Sequence, residues 1–446
     1  MAVETHQDRR NRLAVELRQR GSGPVRLAKS TSNLFRDRGS GPRQMLDVSD
    51  FHHVLNVDPA EGMVEVEGMT TYAELVDATL AHGLMPAVVP ELKSITIGGA
   101  VSGVGIESSS FRYGLVHETV SEMDVLLANG EIVTCTADNE HRDLFFGLPN
   151  SYGTLGYILK LKALALPVKP YVRLTHIRIP DTDEFFATLQ DWCTEEIDFV
   201  DGTVFRRNDH YLTVGQFVDE APYTSDYTHL NMYFRSISAR SEDYLTTHDY
   251  LWRWDTDWFW CSKNLYVQNP LMRRLLGRKR LNSVTYQKVM RWNGRVGFTR
   301  TLSEWFGYHS ESVIQDIDIP IQNASNFLDF FHREIGIRPL WICPVGHPST
   351  DNIYPLFPMT ADTPYINFGF WDVIRGRKER PTGYYNRKVE EAVTNLGGIK
   401  SLYSSSYYPE DEFWSLYGGE AYRKLKQRYD PEMRLNDLYQ KSVLRQ

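Results

Sequence analysis

The sequence predicts an α+β protein made of two unlike regions, and three features say so. Between residues 25 and 167, short alternating strands, glycine-rich turns and one amphipathic helix succeed one another without a regular strand–helix repeat. From Val168 to about Gly398 the chain again mixes strand and helix patterns but becomes rich in tyrosine and tryptophan. At 446 residues it is also long for a single core, since roughly 100–200 residues per domain gives two or three units.

In the first region Val64 and Val66 alternate with Glu65 and Glu67, the period of a half-buried strand. Thr71 and Glu74 have capping-box spacing. Tyr72, Leu75, Val76, Thr79 and Leu80 share one face of the helix they open, and Gly83 stops it. Residues 124–128 and 131–134 flank Asn129-Gly130, which predicts a hairpin with a type I′ turn. In the second region residues 171–179 read as a strand leading into a helix with Phe185, Phe186, Leu189, Trp192 and Cys193 on one face. Val204-Phe205 and residues 211–215 flank an Asn208-Asp209-His210 turn, a second hairpin.

Apolar and charged fractions of 42% and 24% are those of a globular protein. Cys135, Cys193, Cys261 and Cys343 are widely separated, which excludes a zinc ribbon and gives no disulfide framework. Reduced thiols in a cytoplasmic protein are expected. No acidic or histidine pairs have ligand spacing on one element, so no metal site is expected. The polar N-terminus has no signal-peptide run, and no stretch reaches about 18 apolar residues. The expected location is the cytoplasm, peripheral at most to the inner face of the cell membrane. The GxxxxGK[ST] phosphate loop is absent, which argues against an NTPase.

Two loops carry unusual chemistry. Lys29, Ser30, Thr31, Ser32, Asn33, Leu34 and Phe35, followed by Arg36, set small hydroxyl residues between cations, the composition of an anion nest or of a polar surface turn. Residues 96–110 place Gly98, Gly99, Gly103 and Gly105 within eight positions, which allows close backbone approach to a flat or charged ligand or, alternatively, a tight loop packed on the sheet. No helix and ribose-binding acid follow at the spacing of a dinucleotide fingerprint.

The stretch Val89-Pro90-Glu91-Leu92, Thr96-Ile97-Gly98-Gly99, Gly105-Ile106-Glu107-Ser108-Ser109-Ser110 and Tyr113-Gly114-Leu115 resembles the FAD-binding domain of Δ24-sterol reductases, which are vanillyl-alcohol-oxidase-type (PCMH-type) flavoproteins. The likeness continues through Gly153-Thr154-Leu155-Gly156, Gln315-Asp316, Pro339-Leu340-Trp341, Tyr365-Ile366-Asn367 and Lys400-Ser401-Leu402-Tyr403. It implies a two-part FAD-binding domain over 25–168 after an N-terminal extension, 1–24. A substrate or cap domain would span 169–399, and 400–446 would return to complete the flavin site.

By position, the resemblance assigns FAD contacts to Lys29 through Phe35 and to Thr96, Ile97, Gly98, Gly99, Ser102, Gly103, Gly105, Ile106, Glu107 and Ser108. Gly153, Thr154, Gly156 and Ile158 would lie along the adenosine half. Many relatives attach FAD through a histidine in the first loop. Asn33 stands at that place and cannot do so, and no cysteine is near the second loop in sequence, so a dissociable flavin is expected.

The resemblance implies reduction of a carbon–carbon double bond in a lipid, a methylene-branched fatty acyl chain or a sterol-like side chain, with NADPH as electron donor. An isolated alkene needs a proton donor as well as a hydride donor. Tyr407, Tyr403, His248 and Asp255 are candidate acids. Four of the ten tryptophans fall within residues 252–260, and Trp252, Trp254 and Trp258 are candidate walls of the substrate pocket; the alternative is an aromatic seal between domains. A flavin oxidase of an alcohol or sugar, a lipid desaturase and a non-catalytic lipid-binding module remain open.

Residues 263–303 hold ten Lys/Arg and no Asp or Glu in a chain of net charge −8. Leu271, Met272, Leu275 and Leu276 share a helix face with Arg273, Arg274 and Arg278 around it, and Arg280 and the aromatics Trp292, Trp305 and Phe306 lie close by. This predicts a basic interfacial helix for an anionic membrane surface, or a solvated loop paired with acids elsewhere. The acidic remainder and the lack of a binding motif argue against nucleic acid.

Overall fold

The computed structural model describes residues 4–21, 23–28, 44–296, 305, 307–346 and 353–446. The first loop of the sequence reading, Lys29 through Phe35 with Asn33, lies outside the described residues, as does Phe306. The strands in chain order begin with β1 (Val25–Ala28) and β2 (Gln44–Asp47), which pair in parallel. β3 (Val54–Asp58), β4 (Met63–Glu67), β5 (Leu84–Pro86), β6 (Val120–Leu126), β7 (Ile132–Thr136) and β8 (Tyr157–Pro167) form the first antiparallel sheet, with β8 at its centre.

The second sheet is also antiparallel. Its strands are β9 (Tyr171–Ile179), β10 (Phe199–Arg206), β11 (Asp209–Val218), β12 (Glu242–Thr246), β13 (His309–Pro320), β14 (Leu340–Val345), β15 (Tyr365–Gly376) and β16 (Ile399–Lys400). Their spatial order is β12-β9-β11-β10-β14-β15-β13-β16. The α+β class read from the sequence is the observed one.

Local chemistry explains the elements. The helix Tyr72–Leu80 begins with the reciprocal Thr71–Glu74 capping box and buries Tyr72, Leu75, Val76 and Thr79. The hairpin β6–β7 forms, but its turn is not type I′. Only Gly130 takes a positive φ, +82°, while Leu127 accepts from the Gly130 amide and donates to Glu131. That is the geometry of a longer loop with glycine in the left-handed position. In β10–β11 the turn falls at Arg207-Asn208, with Asn208 at φ +62°, and His210 pairs within the strand.

The polar N-terminus folds too. Helix His6–Gln19 has its own capping box, Thr5 with Asp8, and seats Leu13 and Leu17 in a cluster with Val48, Phe51 and Leu126. Its polar side meets a buried acid: Glu67 accepts from Arg9 at 2.5 Å and lies 2.7 Å from the ring nitrogens of His6 and His53. These hydrogen bonds outweigh burial and hold Glu67 down at about 2.

β13 decides where the chemistry sits. Its period of two sends Val313, Gln315, Ile317 and Ile319 inward. There the valine and isoleucines pack in one cluster with residues of the helices Thr182–Trp192, Ala324–Glu334 and Tyr384–Asn395. Ser312, Ile314 and Asp316 point the other way, into a cleft between the second sheet and the glycine-rich loop of the first region. The last residues return against the turn at Tyr152 to Thr154, beside that loop. Buried Lys426 donates to Thr154 O and Leu435 O and pairs with Asp430 at 2.6 Å, and Lys441 donates to Tyr152 O.

Candidate active site

The cleft has a volume of about 610 Å³, within the roughly 300–1,000 Å³ that holds an organic ligand. One side is backbone and small side chains: Thr96, Gly98, Gly99, Ser102, Gly103, Gly105, Ile106 and Glu107, then Gly153, Gly156 and Ile158. Each of these was expected at a cofactor. Ile97, Ser108 and Thr154 do not line it. Ile97 is buried in the core, Ser108 bonds the Tyr250 hydroxyl at 2.9 Å, and Thr154 bonds Ser151 O at 2.8 Å.

The glycines serve the protein as well as the cleft. A Cβ at Gly98 would stand 2.7 Å from Gly68 O, at Gly103 2.9 Å from Gly99 O, and at Gly105 2.9 Å from the Pro90 ring. The loop is tight because backbone packs on backbone there, and that packing presents its bare edge to the cleft. With Arg26 and Lys441 also on the lining, the donor set suits a flat, aromatic, diphosphate-bearing group such as FAD.

Two cysteines bear on attachment of such a group. Cys343, remote in sequence, packs beneath the loop and donates to Glu107 O at 3.2 Å. It is fully buried, and burial pushes its thiol far up. Cys261 lines the cleft, but burial raises it to about 12. Neither is a thiolate at neutral pH.

The opposite wall is aromatic. Trp258 and Phe259 line it from consecutive left-handed positions, φ +46° and +57°, held by the packing of Phe259 on Trp254 and Trp371. Trp252 and Trp254 do not line the cleft. Trp254 is 1% exposed and packs edge-on to Tyr233, and Trp252 lies beneath Lys93. Both belong to the main buried core rather than to the cleft wall.

Of the candidate acids, the structure brings Tyr403 alone to the cleft. Trp371 Nε1 donates to Tyr403 Oη at 2.9 Å, and Tyr403 donates to the carboxyl of Asp316, which also lines the wall. Burial pushes Asp316 up to about 7, with the charge of Asp318 adding to it, and its Oδ1 has no hydrogen-bond partner. Tyr407 instead lies in a shallow depression with Arg387 and Arg445, whose Nη2 donates to it at 3.0 Å. His248 is half exposed between Asp77 and Asp249. Asp255 is buried away from the cleft, accepting from Ser283 and pairing with Lys93 at 3.7 Å. These three are surface or structural groups.

Below the glycine loop, Arg253 is enclosed by Glu91 and Glu107 at 2.6 Å and Asp201 at 2.8 Å, all buried. One guanidinium cannot neutralise three carboxylates, so burial holds Glu91 well above the usual range and lifts Asp201 to about 6. Sequence reasoning missed this cluster and Asp316. The one available signal was an acid alternating with apolar residues in a strand, Ile314-Gln315-Asp316-Ile317.

The basic segment also needs correction. Arg273 is 0% exposed, bonded to Asp257 and to the carbonyls of His229 and Asn231. Arg278 pairs with Asp226 at 2.6 Å. Arg274 and Arg280 remain exposed. No helix among the described residues is long and apolar enough to cross a membrane, and none of their His, Cys, Asp and Glu side chains form a group that could hold a metal.

A family model described as FAD binding domain matches residues 9–136. The chain is 27% identical to a Δ24-sterol reductase of Arabidopsis thaliana over 436 residues, covering 89% of this chain and 76% of the relative. Against the Homo sapiens Δ24-sterol reductase it is 27% identical over 401 residues, covering 87% and 75%. Cytokinin dehydrogenase 7 of Oryza sativa subsp. japonica is 34% identical over 122 residues, 27% of this chain and 23% of the relative. The first region is an FAD-binding domain of the PCMH-type α+β fold, and most of the chain is similar to Δ24-sterol reductases.

Proposed function

We propose that this chain is an FAD-dependent oxidoreductase that reduces an isolated carbon–carbon double bond in a lipid, with a methylene-branched fatty acyl chain as preferred substrate and NADPH as electron donor. The observation that carries the reading is the Asp316–Tyr403 pair facing an aromatic cleft beside the glycine-rich loop. A bound FAD would supply the hydride chemistry, held without a covalent link by Thr96, Gly98, Gly99, Ser102, Gly103, Gly105, Gly153 and Gly156.

The chain's own residues would do the rest. Asp316 holds a proton on a carboxyl near neutrality, the range in which a general acid is most useful. Tyr403 and Trp371 fix its orientation. Trp258, Phe259 and Ile314 exclude water and accept an apolar chain, presented from an anionic membrane surface. Mixing NADPH-reduced protein with a methylene-branched fatty acyl ester should give the methyl-branched product, and product formed equally well by Asp316→Asn would refute the assignment of the acid.

A further inference from the structure

We propose that the face around Leu271 and Leu275 docks this enzyme on an anionic lipid bilayer, beside the mouth of the cleft, an inference that rests on the lipid-substrate reading above. Helix Pro270–Leu276 leaves Leu271 64% and Leu275 69% exposed, and Tyr266 ahead of it is 80% exposed. On helix Ser283–Val296, Val289 and Met290 are exposed as well. Exposed hydrophobics scattered singly need no explanation, but here several crowd two neighbouring helices. Leu276 of the first packs in one small cluster with Tyr286 of the second and with Trp258.

Charge selects the occupant. Arg274, Lys279, Arg280 and Lys288 are exposed around these residues and make no ion pair with the described residues. Arg273 and Arg278, beside them in sequence, are consumed inside the protein or by Asp226. Exposed cations ringing exposed leucines, on a chain of net charge −8, fit anionic headgroups over an acyl boundary. Nucleic acid would use the cations but not Leu271 and Leu275.

Position supplies the purpose. Gln287 and Met290, from the same helix as Val289, line the cleft, and so does Trp258 from the shared cluster. An acyl chain leaving the bilayer at this face reaches the cleft along apolar side chains rather than through water.

The test is co-sedimentation of the full flavin-loaded chain with vesicles of phosphatidylglycerol and phosphatidylcholine, or of phosphatidylcholine alone. The parent should pellet with the first and not the second, and raising the salt should cut the bound fraction about tenfold. L271E/L275E and R274E/K279E/R280E should each lower pelleting about tenfold with the flavin spectrum unchanged. R333E/K424E, exposed cations elsewhere, should pellet as the parent does. Equal pelleting of the patch variants and the parent overturns the dock, as does a parent that ignores anionic vesicles, including one whose solution mass falls with L271E/L275E because the face joins two copies. Turnover of a detergent-dispersed alkene is read separately. Its absence with vesicle binding intact refutes the reaction, and its presence with binding lost from the parent refutes only the dock.

Discussion

Tyr403 donates its hydroxyl proton to a hydrogen bond with Asp316 at the wall of the cleft, and the Asp316 carboxyl, pushed up by burial, titrates at about 7. A carboxyl in ordinary surroundings would be ionised at that pH and useless as an acid. Here it is poised to give a proton and to recover it from water.

The pH dependence follows from the sign of that shift. Asp316 is protonated below about 7 and ionised above it, so alkene reduction should fall as pH rises through about 7, while flavin reduction by NADPH does not. Asp316→Asn should slow the alkene step by about 10²–10⁴-fold. Tyr403→Phe removes a hydrogen bond that lowers the pKa, so its profile should move to higher pH with a smaller loss of rate. Single-turnover rates across pH check all three.

Flavin binding should be tight but reversible. Acid precipitation should release all flavin to the supernatant, because the cleft thiol Cys261 is pushed up to about 12 and Asn33 cannot attach it. Gly99→Trp should yield folded, colourless protein, since Gly99 lines the cleft. Absorbance and circular dichroism of the pure variants check this.

The Arg253 cluster is buried and should be costly to break. Arg253→Leu leaves Glu91, Glu107 and Asp201 buried without a counter-charge, a loss of about 3–5 kcal/mol. Urea unfolding measures it. Adding Asp201→Asn should recover part of the loss, which a simple packing defect would not.

Glu67 makes a second, pH-linked contribution. Its folded pKa of about 2 lies below the ordinary value, so its stabilisation is present above about 4.3 and is lost as pH falls towards 2. Glu67→Gln should cost about 2 kcal/mol at neutral pH, and the gap should close in acid. A gap that stays constant with pH would contradict the ion-pair account.

Much of this was legible in the sequence because local chemistry dictated it. The Thr71–Glu74 box and the helix it starts need only neighbouring residues, and the alternation of strand β9 is written in its own residues even though β11 and β12 complete it. The glycine loop was legible as a special backbone, but not the whole reason for it: the Gly68 carbonyl that a Cβ at Gly98 would strike is brought there by tertiary packing. The turn at Asn129-Gly130 was misread because the dipeptide fits two loop geometries and the flanking strands choose between them. Tyr407 and His248 looked as acidic as Tyr403 because burial and partners, not residue type, separate them. Arg273 looked like a surface cation, since nothing local reveals that Asp257 waits beneath it.

The most direct test of the account is anaerobic mixing of the NADPH-reduced flavoprotein with a methylene-branched fatty acyl ester in heavy water. Oxidised flavin absorbance should return only when the alkene is added, and the methyl-branched product should carry solvent deuterium at the carbon that receives the proton, with Asp316→Asn slowing both by about 10²–10⁴-fold. Reduced flavin that ignores the alkene but returns at once with oxygen, or oxidised flavin bleached by the saturated ester or by an alcohol, would contradict it.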